Sequence, residues 1–284
     1  MLYCYANNPM NIVISNSIKS KVFTNVFQNI KHFCEHVNIL FRPDGLYAQG
    51  MDNSHISIFE LNIPSTWFDA YSNIYNSSIQ IGINVGLFYK ILNTRDDGQE
   101  IFIKYDKDAM PDKLLMHFIT SSTATSKSLF DKHFELPLME IDAEIMHIPS
   151  VDYQAEFSLA SVNYFNLINQ LKLFGTDLHI KCDENEIRLS AKSQDAGNMS
   201  VVVPIDELSL FAINEGEQLN LSFSLAHMVN ICSFHKASNE INLAISMDYP
   251  LRAIYYLENT PDDGEDPSSK ARLNVFLAPR VDDE

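Results

Sequence analysis

Residues 17–33 read SIKSKVFTNVFQNIKHF, and the spacing of their apolar side chains is helical. Apolar residues recur every three or four positions, at Ile18, Val22, Val26, Ile30 and Phe33. This spacing places the side chains along one side of an α-helix. We therefore predict an amphipathic helix over residues 17–33.

Strand signals follow this helix. Residues 37–64, VNILFRPDGLYAQGMDNSHISIFELNIP, contain a Pro-Asp-Gly turn between two strand-like runs and then a further strand with alternating side chains. The next segments are IQIGI, NVGLFYKILN, QEIFIKY and DKLLMHFIT, which we interpret as strand, helix, strand and strand. The first half of the chain is thus predicted to be a sheet that carries two helices.

The second half of the chain repeats this order. Its first helix is SVNYFNLINQLKLF at residues 161–174, and a hairpin, strands, a second helix and final strands follow. Matched positions have similar separations of 143, 140 and 139 residues, from Ile18 to Ser161, from Val85 to Leu225 and from Pro111 to Pro250. This long-period repeat predicts two copies of one α+β unit, each with two helices on a largely antiparallel sheet.

An extended connector separates the two predicted copies. The stretch FELPLMEIDAEIMHIPSVDY, residues 134–153, has two prolines and mixed charge without a helical stripe. We place the N-terminal domain at residues 1–133, the interdomain connector at 134–150 and the C-terminal domain at 151–284.

The composition is that of a folded protein. The chain has 284 residues, of which 46% are hydrophobic, and this excludes a disordered chain. No apolar run approaches the roughly 20 residues of a membrane helix, and the N-terminus MLYCYANNPM lacks the layout of a secretory signal. We expect a soluble intracellular protein whose cysteines, which form no CxxC pair, are free thiols: Cys4, Cys34, Cys182 and Cys232.

The net charge is strongly acidic. Twenty basic and 37 acidic residues give a formal charge of −17. This argues against a protein that adheres to phosphates over a whole face, although a local basic surface on an acidic body is compatible with it.

Few residues suggest catalysis or metal binding. His32 and His36 with Cys34 could place two imidazoles one helical turn apart, but no third ligand or adjacent base accompanies them. The carboxylate pairs at 96–97 and 262–263 sit beside Gly or Pro, where carboxylates commonly make turns. The sequence has no phosphate loop, nucleophile elbow or dinucleotide fingerprint. We therefore expect no enzyme, cofactor or metal, and favour a ring-building unit over a pseudo-symmetric enzyme.

Three separated motifs resemble one family. LYAQGMDNSHISIFEL (46–61), MEIDAEIMHIP (139–149) and FLAPRVDDE (276–284) are similar to segments of the sliding clamp family of proliferating cell nuclear antigen, and the repeat order agrees over essentially the whole chain. The resemblance implies the DNA clamp fold and a homotrimeric ring of six similar domains. In such a ring, sheets form the outer wall and helices line a hole for duplex DNA, so that a tethered DNA polymerase becomes processive without reading sequence.

The resemblance places the helix lysines on the DNA side of such a ring: Lys19, Lys21, Lys31, Lys90, Lys172 and Lys236. The alternative for each is ordinary solvent-facing charge. Asn163, Asn166 and Asn169 occupy the third helix where related clamps often have cations, which argues against close phosphate contact there, although amides can also bond phosphate oxygens.

The resemblance also implies an apolar pocket for clamp-interacting peptides of DNA polymerase, clamp loader, ligase and nuclease. The residues that match are Met51, His55, Ile56, Met146, Ile148, Pro149, Pro250, Phe276, Ala278 and Pro279. Methionine adapts to different partners because its side chain is unbranched and polarizable. Ordinary core positions are the alternative for each residue taken alone.

Two segments match the family's edge strands, which pair between subunits. They lie near residues 131–136 and 199–203, and the interface residues that they imply are His133, Phe134, Leu136, Val201 and Val203. A simple buried strand is the alternative. Residues 258–271, ENTPDDGEDPSSKA, have the composition of a solvated surface loop.

Three assemblies stay open at the level of the sequence. The chain forms a homotrimer, contributes one subunit to a heterotrimer such as a checkpoint clamp, or acts as a monomeric DNA-binding accessory factor of a polymerase. The resemblance implies a nuclear protein, or one of a viral replication compartment if the source is viral, and no membrane partner.

Overall fold

The structure is a computed structural model that describes residues 10–73, 75, 77–121, 130–258 and 269–280. Most of the predicted loop at 258–271 lies outside these ranges, as do the carboxylate pair 262–263, Cys4 and residues 281–284.

The described residues form two compact units. The first is drawn from Met1–Gly50, Glu60–Ile145 and Thr260–Arg272. The second is drawn from Met51–Phe59, Met146–Asn259 and Leu273–Glu284.

The first half of the chain contains nine strands and two α-helices in its described residues. In chain order they are β1 (Met10–Ile14), α1 (Ser17–Ile30), β2 (His36–Arg42), β3 (Gly45–Met51), β4 (Ser57–Pro64), β5 (Ala70–Asn73), β6 (Ile79–Asn84), α2 (Val85–Leu92), β7 (Gln99–Tyr105), β8 (Lys113–Thr120) and β9 (Lys132–Pro137). A short 3₁₀ helix spans Ser65–Trp67.

The second half contains the same elements in the same order. They are β10 (Ala155–Ala160), α3 (Ser161–Leu171), β11 (Asp177–Cys182), β12 (Ile187–Ser193), β13 (Gly197–Val203), β14 (Leu210–Ile213), β15 (Leu219–Ser224), α4 (Leu225–Cys232), β16 (Glu240–Ile245), β17 (Leu251–Tyr256) and β18 (Arg272–Leu277). Two further 3₁₀ helices span Ile205–Glu207 and Ser233–Lys236.

The order of strands within the sheets is also repeated. In the first half, neighbouring strands follow the orders β5-β1-β7-β8-β9 and β4-β3-β2-β6. In the second half, the corresponding orders are β14-β10-β16-β17-β18 and β13-β12-β11-β15. These orders match position by position, which confirms the prediction of two copies of one α+β unit.

Local chemistry explains where these elements begin. The Asn16 side chain accepts hydrogen bonds from the backbone N–H groups of Ile18 and Lys19, and so caps the first turn of α1. The Asn84 side chain caps α2 through the N–H of Leu87. Strands such as β7 and β17 alternate buried and partly exposed residues, which is the period expected of a sheet with one face on a core.

The two helices of each half pack their apolar sides on a sheet. In the first unit, the rings of Phe27 and Phe88 have centroids 4.6 Å apart, and Phe23 lies 5.0 Å from Phe27 and 6.4 Å from Trp67. All four side chains are at most 1% exposed. This aromatic cluster joins α1 to α2 and is the centre of the first core.

The second core places polar aromatic groups among apolar ones. The Tyr164 hydroxyl contacts the Met228 sulfur at 3.8 Å, and the Tyr255 hydroxyl donates to the Ile231 carbonyl at 3.0 Å. Both tyrosines are fully buried, and this burial raises their pKa well above the ordinary range. Each buried hydroxyl therefore has a partner on α4.

The predicted apolar stripe of the first helix is partly wrong. Helix α1 ends at Ile30, and Ile18 is 68% exposed, whereas Phe23, Val26 and Phe27 are buried with Ile30. A step of four residues rotates the side chain by about 40° around the helix axis. Steps of four taken back from the buried Ile30 therefore drift away from the buried side and reach solvent at Ile18.

Replacing Phe27 with Ala tests this aromatic cluster. We expect the free energy of unfolding to fall by about 3–5 kcal/mol, because the substitution removes a fully buried ring and leaves a cavity. Ile18→Ala is the matched control on the same helix and should change it by less than about 0.5 kcal/mol. Urea denaturation followed by circular dichroism measures both, and equal losses would contradict the assignment of the buried side.

Candidate nucleic-acid interface and partner pocket

The residues predicted for the partner pocket all belong to the second compact unit. None of them is buried. Their exposure disfavours the alternative that they are ordinary core positions. They are Met51, His55, Ile56, Met146, Ile148, Pro149, Pro250, Phe276, Ala278 and Pro279.

The turn that follows β3 is organised by one carboxylate. Asp52 accepts hydrogen bonds from the N–H groups of Ile56 at 2.9 Å and Ser57 at 2.6 Å, and the Ser54 hydroxyl also donates to it. Partial burial opposes ionisation of Asp52, but the hydrogen bonds from Ser54, Ser57 and Ile56 outweigh it and lower its pKa to about 2. His55 has a positive φ of 58°, which is uncommon for a residue other than glycine. The carboxylate therefore holds the turn in a tight, partly strained conformation.

A histidine from α4 joins this turn to the helix. The Nε2 atom of His227 lies 3.2 Å from Asp52 Oδ2 and 3.0 Å from Ser54 Oγ. Its other ring nitrogen, Nδ1, lies 2.9 Å from Ser224 Oγ. His227 is not predicted from the sequence, because no local pattern connects it with Asp52, which is 175 residues away.

The Ser54, His227 and Asp52 side chains do not form a hydrolase triad. In such a triad, the serine and the carboxylate contact opposite nitrogens of the histidine ring. Here both oxygens lie against the same nitrogen, and the second nitrogen faces Ser224. The cluster therefore holds a turn and is not arranged to relay a proton from a nucleophile.

The C-terminal motif lies against the same turn. The N–H of Ala278 donates to the Ile56 carbonyl at 3.0 Å. Two residues later, the Arg280 backbone donates to the Ser222 carbonyl at 2.7 Å, and its guanidinium pairs with Asp177 at 2.5 Å. Two of the three motifs behind the predicted pocket are thus joined by a direct hydrogen bond.

A residue just after the connector, Gln154, contacts the turn between β16 and β17. The Gln154 side chain accepts hydrogen bonds from Ser246 Oγ at 3.1 Å and from the Met247 N–H at 2.8 Å. Met247 is 51% exposed and Tyr249 is 41% exposed, beside the predicted pocket residue Pro250. These two exposed apolar residues extend the candidate surface. Neither residue is among the predicted pocket residues, although large apolar side chains in a turn next to Pro250 are a local signal for such a surface.

Two of the predicted DNA-facing lysines are held by local partners. Lys19 donates to the Trp67 carbonyl at 2.6 Å and lies over the Trp67 ring. Lys21 pairs with Asp97 at 3.1 Å, and both side chains are exposed. An exposed pair of this kind is weak and exchanges readily with another anion.

The other four lysines are exposed. Lys31 lies 4.9 Å from the centroid of the Tyr89 ring. The remaining three are on α2, after α3, and in the 3₁₀ helix that follows α4: Lys90, Lys172 and Lys236.

The exposed side of α3 is mainly uncharged. Asn163 and Asn166 are exposed, whereas the Asn169 amide donates to the Phe165 carbonyl at 2.8 Å within the helix. Two free amides therefore offer hydrogen bonds on this helix, alongside the exposed apolar side chain of Val162.

Both predicted interface segments are edge strands. Strand β9 pairs with β8, and β13 pairs with β12, and each is the last strand of its order in the described chain. Leu136 and Val203 are buried, so their side chains belong to the cores of their own units. His133 is exposed, and Phe134 and Val201 are partly exposed.

Within the described ranges, no three metal-ligating side chains are already clustered around a common point. The metal site considered for His32, Cys34 and His36 is therefore not formed in the described residues. His36 lies near Glu35 and Asn84 instead. No described helix is long and apolar enough to span a bilayer.

Comparisons with known proteins assign the chain to a class and a family. Sequence models of the N-terminal and C-terminal domains of proliferating cell nuclear antigen match residues 15–145 and 147–261. These matches, together with the duplicated fold, define the protein as a DNA sliding clamp. The chain belongs to the proliferating cell nuclear antigen family. Members of this family are non-enzymatic processivity factors, which confirms the prediction that the chain is not an enzyme.

Curated relatives match over almost the whole chain. Proliferating cell nuclear antigen of Chaetomium thermophilum is 25% identical over 274 residues, covering 94% of this chain and 97% of the relative. Proliferating cell nuclear antigen 2 of Plasmodium falciparum is 23% identical and covers 94% and 98%. The DNA polymerase sliding clamp of Cenarchaeum symbiosum is 23% identical and covers 90% and 93%.

A solved structure confirms the fold. The crystal structure of proliferating cellular nuclear antigen from Entamoeba histolytica superposes with a TM-score of 0.81 at 22% identity, covering 97% of this chain and all of that one. The predicted DNA clamp fold is therefore confirmed.

Replacing Asp52 with Ala tests the hydrogen bonds of the turn. At pH 7 we expect a loss of about 1.5–3 kcal/mol of unfolding free energy, the usual contribution of a hydrogen-bonded charge. The folded pKa of about 2 lies below the ordinary 3.8, so this stabilisation is present above pH 3.8 and disappears as the pH falls toward 2.

Urea denaturation of the parent and the variant at pH 7 and pH 3 measures this difference. Asp142→Ala, at an exposed carboxylate of the connector, should match the parent at both values. A difference between the parent and Asp52→Ala that grows on acidification would contradict the role of Asp52.

Proposed function

We propose that this chain is a DNA polymerase processivity factor that closes into a homotrimeric ring around duplex DNA. The observation that carries the proposal is the internal repeat, in which two family-matched domains have the same strand order and each half offers an edge strand. An unpaired apolar edge is an aggregation hazard, and pairing with another subunit removes it.

Ring closure uses two different edges. A head-to-tail contact between unlike surfaces generates a ring when its rotation closes. In the proposed contact, β9 of one subunit pairs with β13 of the next through backbone hydrogen bonds. The partly exposed Phe134 and Val201 and the exposed His133 supply side-chain contacts, while Leu136 and Val203 support the strands from within.

DNA is held by topology and only weakly by charge. The net charge of −17 opposes tight binding to phosphates. The six helix lysines and the α3 amides are proposed to contact the phosphate backbone without reading bases. A closed ring needs no more than this, because it cannot leave the duplex sideways.

Partners bind the exposed apolar surface of the second unit. The turn at Met51–Ser57, the connector and the C-terminal motif are proposed to form a pocket for clamp-interacting peptides of DNA polymerase, clamp loader, ligase and nuclease. Met247 and Tyr249 enlarge this surface beside Pro250. We place the protein in the nucleus, or in a viral replication compartment if the source is viral.

Retention on circular DNA tests the proposed topology. Protein loaded by a clamp loader onto nicked circular DNA should stay bound through a wash in about 1 M salt, because salt at this concentration screens direct contacts with phosphate. It should be lost when the DNA is linearised. The solution mass should be near three times 32.3 kDa.

Val201→Lys is the matched control, because it places a charge on the edge of β13. It should sediment as a folded monomer and lose retention on both forms of DNA. A single-chain mass for the purified parent would exclude the homotrimer. Equal retention of the parent on circular and linear DNA would indicate a monomeric accessory factor held by charge.

The double variant Ile148→Ala and Pro279→Ala tests the pocket. Binding of a clamp-interacting peptide should weaken by about 2 kcal/mol or more, roughly thirtyfold, because both residues are proposed to contact the peptide anchors. The mass and the DNA retention should be unchanged, because neither residue lies in a core or on an edge strand. Isothermal titration calorimetry measures the affinity.

Leu173→Ala, which removes an exposed apolar side chain after α3, is the control and should bind the peptide like the parent. Parental affinity in the double variant would show that the pocket lies elsewhere. Loss of the folded trimer would show that these residues are structural.

A further inference from the structure

The first residues of β9 are held by side chains from other parts of the first unit. The Gln99 side chain, which is buried at the start of β7, donates to the Phe130 carbonyl at 2.7 Å. The Asp131 carboxylate accepts the N–H of Thr120, the last residue of β8, at 2.9 Å. These contacts fix the backbone at the point where β9 begins.

A lysine at the start of β9 adds a third contact. The Lys132 ammonium donates to the Thr94 carbonyl at 2.5 Å and to the Asp96 carboxylate at 2.6 Å. Lys132 lies four residues before Leu136, so its side chain is on the same face of β9 as that buried leucine. The ion pair therefore holds β9 from its covered face. It leaves open the edge of β9 that has no neighbouring strand in the described chain.

The turn that carries Asp96 spans residues 94–99 and is held by an arginine whose side chain is 5% exposed. The Arg95 guanidinium donates to the carbonyls of Asp96 at 3.0 Å and Gln99 at 2.9 Å, and it pairs with Asp97 at 3.4 Å. The Asp96 N–H donates to the Gln99 side chain at 3.0 Å, and the Gln99 N–H donates to the Asp96 carbonyl at 3.1 Å. The turn is thus closed by hydrogen bonds on both sides, and it presents the Asp96 carboxylate to Lys132.

The internal repeat provides a comparison for this carboxylate. In the second half, residues 233–239 connect α4 to β16, as residues 93–98 connect α2 to β7. The segment 233–239 contains no Asp or Glu, so it has no counterpart of Asp96. Strand β18, which corresponds to β9 in the repeated strand order, is not one of the strands proposed to pair between subunits. The carboxylate thus accompanies only the strand that is proposed to meet another subunit.

We propose that Asp96 is a positioning residue for ring closure, because by holding Lys132 it orders the start of β9 before the neighbouring subunit pairs with it. The inference rests on the proposed ring and deepens it by assigning a residue that sets the lifetime of the subunit contact. A segment that is already ordered loses less conformational entropy when it binds, which strengthens the contact. Without the ion pair, association has to order these residues, and the contact is weaker.

The ion pair can be removed without unfolding the unit. The side chains of Lys132 and Asp96 are 27% and 46% exposed. An ion pair with this exposure contributes little to global stability. Its loss therefore frees the start of β9 locally, and the effect on the ring is separable from an effect on the fold.

Exchange of subunits between donor-labelled and acceptor-labelled rings tests the proposal. Asp96→Asn should raise the exchange rate at least about tenfold, because changes in affinity appear mainly in the dissociation rate. Lys132→Met should do the same, and the double variant should exchange no faster than the faster single variant, because both substitutions remove one interaction. Asp97→Asn is the matched control on the same turn. Its carboxylate pairs with Lys21 and Arg95, so this variant should exchange like the parent.

Two further measurements separate positioning from folding and do not need the ring. In the monomer made by Val201→Lys, addition of Asp96→Asn should leave the midpoint of urea unfolding unchanged. It should raise the hydrogen-exchange rates of the amides of residues 132–134 at least about tenfold, because the start of β9 opens locally.

The outcomes distinguish this proposal from the ring on which it rests. A parent of single-chain mass would contradict the ring and the positioning role with it. Parental subunit exchange by Asp96→Asn in a trimeric parent would overturn the positioning role alone. Equally fast exchange by Asp97→Asn, unchanged hydrogen exchange at residues 132–134, or a shifted unfolding midpoint in the monomer would also overturn it.

Discussion

Packing of two helices on one sheet is the interaction on which the rest of each half depends. In the first unit it is the contact of Phe23 and Phe27 with Phe88, and in the second it is the contact of Tyr164 with Met228. This packing buries one side of each helix and leaves the other side free to carry lysines and amides. It leaves the strand edges uncovered, because helices pack on the faces of a sheet and not on its edges. The proposed ring uses both features: the exposed helix sides face the DNA, and the strand edges pair between subunits.

The candidate pocket is made of segments outside the regular elements, so it needs another source of order. Asp52 provides it for the turn after β3, through hydrogen bonds to Ser54, Ile56 and Ser57. His227 ties the same carboxylate to α4, and the Ile56 carbonyl receives the N–H of Ala278. Hydrogen bonds from backbone N–H groups to a charged carboxylate are roughly twice as strong as hydrogen bonds between neutral groups. The pocket segments can therefore present exposed apolar side chains without collapsing them into the core.

Charge explains why a protein of this class does not depend on affinity for DNA. The lysines on the helices are few, and two of them already have partners in Trp67 and Asp97. In the proposed function, such a surface makes only weak, salt-sensitive contacts with the duplex. The acidic remainder of the chain keeps it from binding nucleic acid elsewhere. In the proposed function, the protein therefore depends on closure of the ring and on the apolar surface that would bind partners.

The sequence by itself determined the types of element, their order and the internal repeat, because helical and strand periods are local properties that each segment carries. Together with the three motifs, these were sufficient to identify the family. Only the tertiary structure decided that Ile18 is exposed, that His227 meets Asp52 and that His117 faces His133. The first depends on which side of a helix meets the sheet, the second on a contact between residues 175 positions apart, and the third on strand register. A spacing pattern contains none of these, since each is set by the packing of distant parts of the chain.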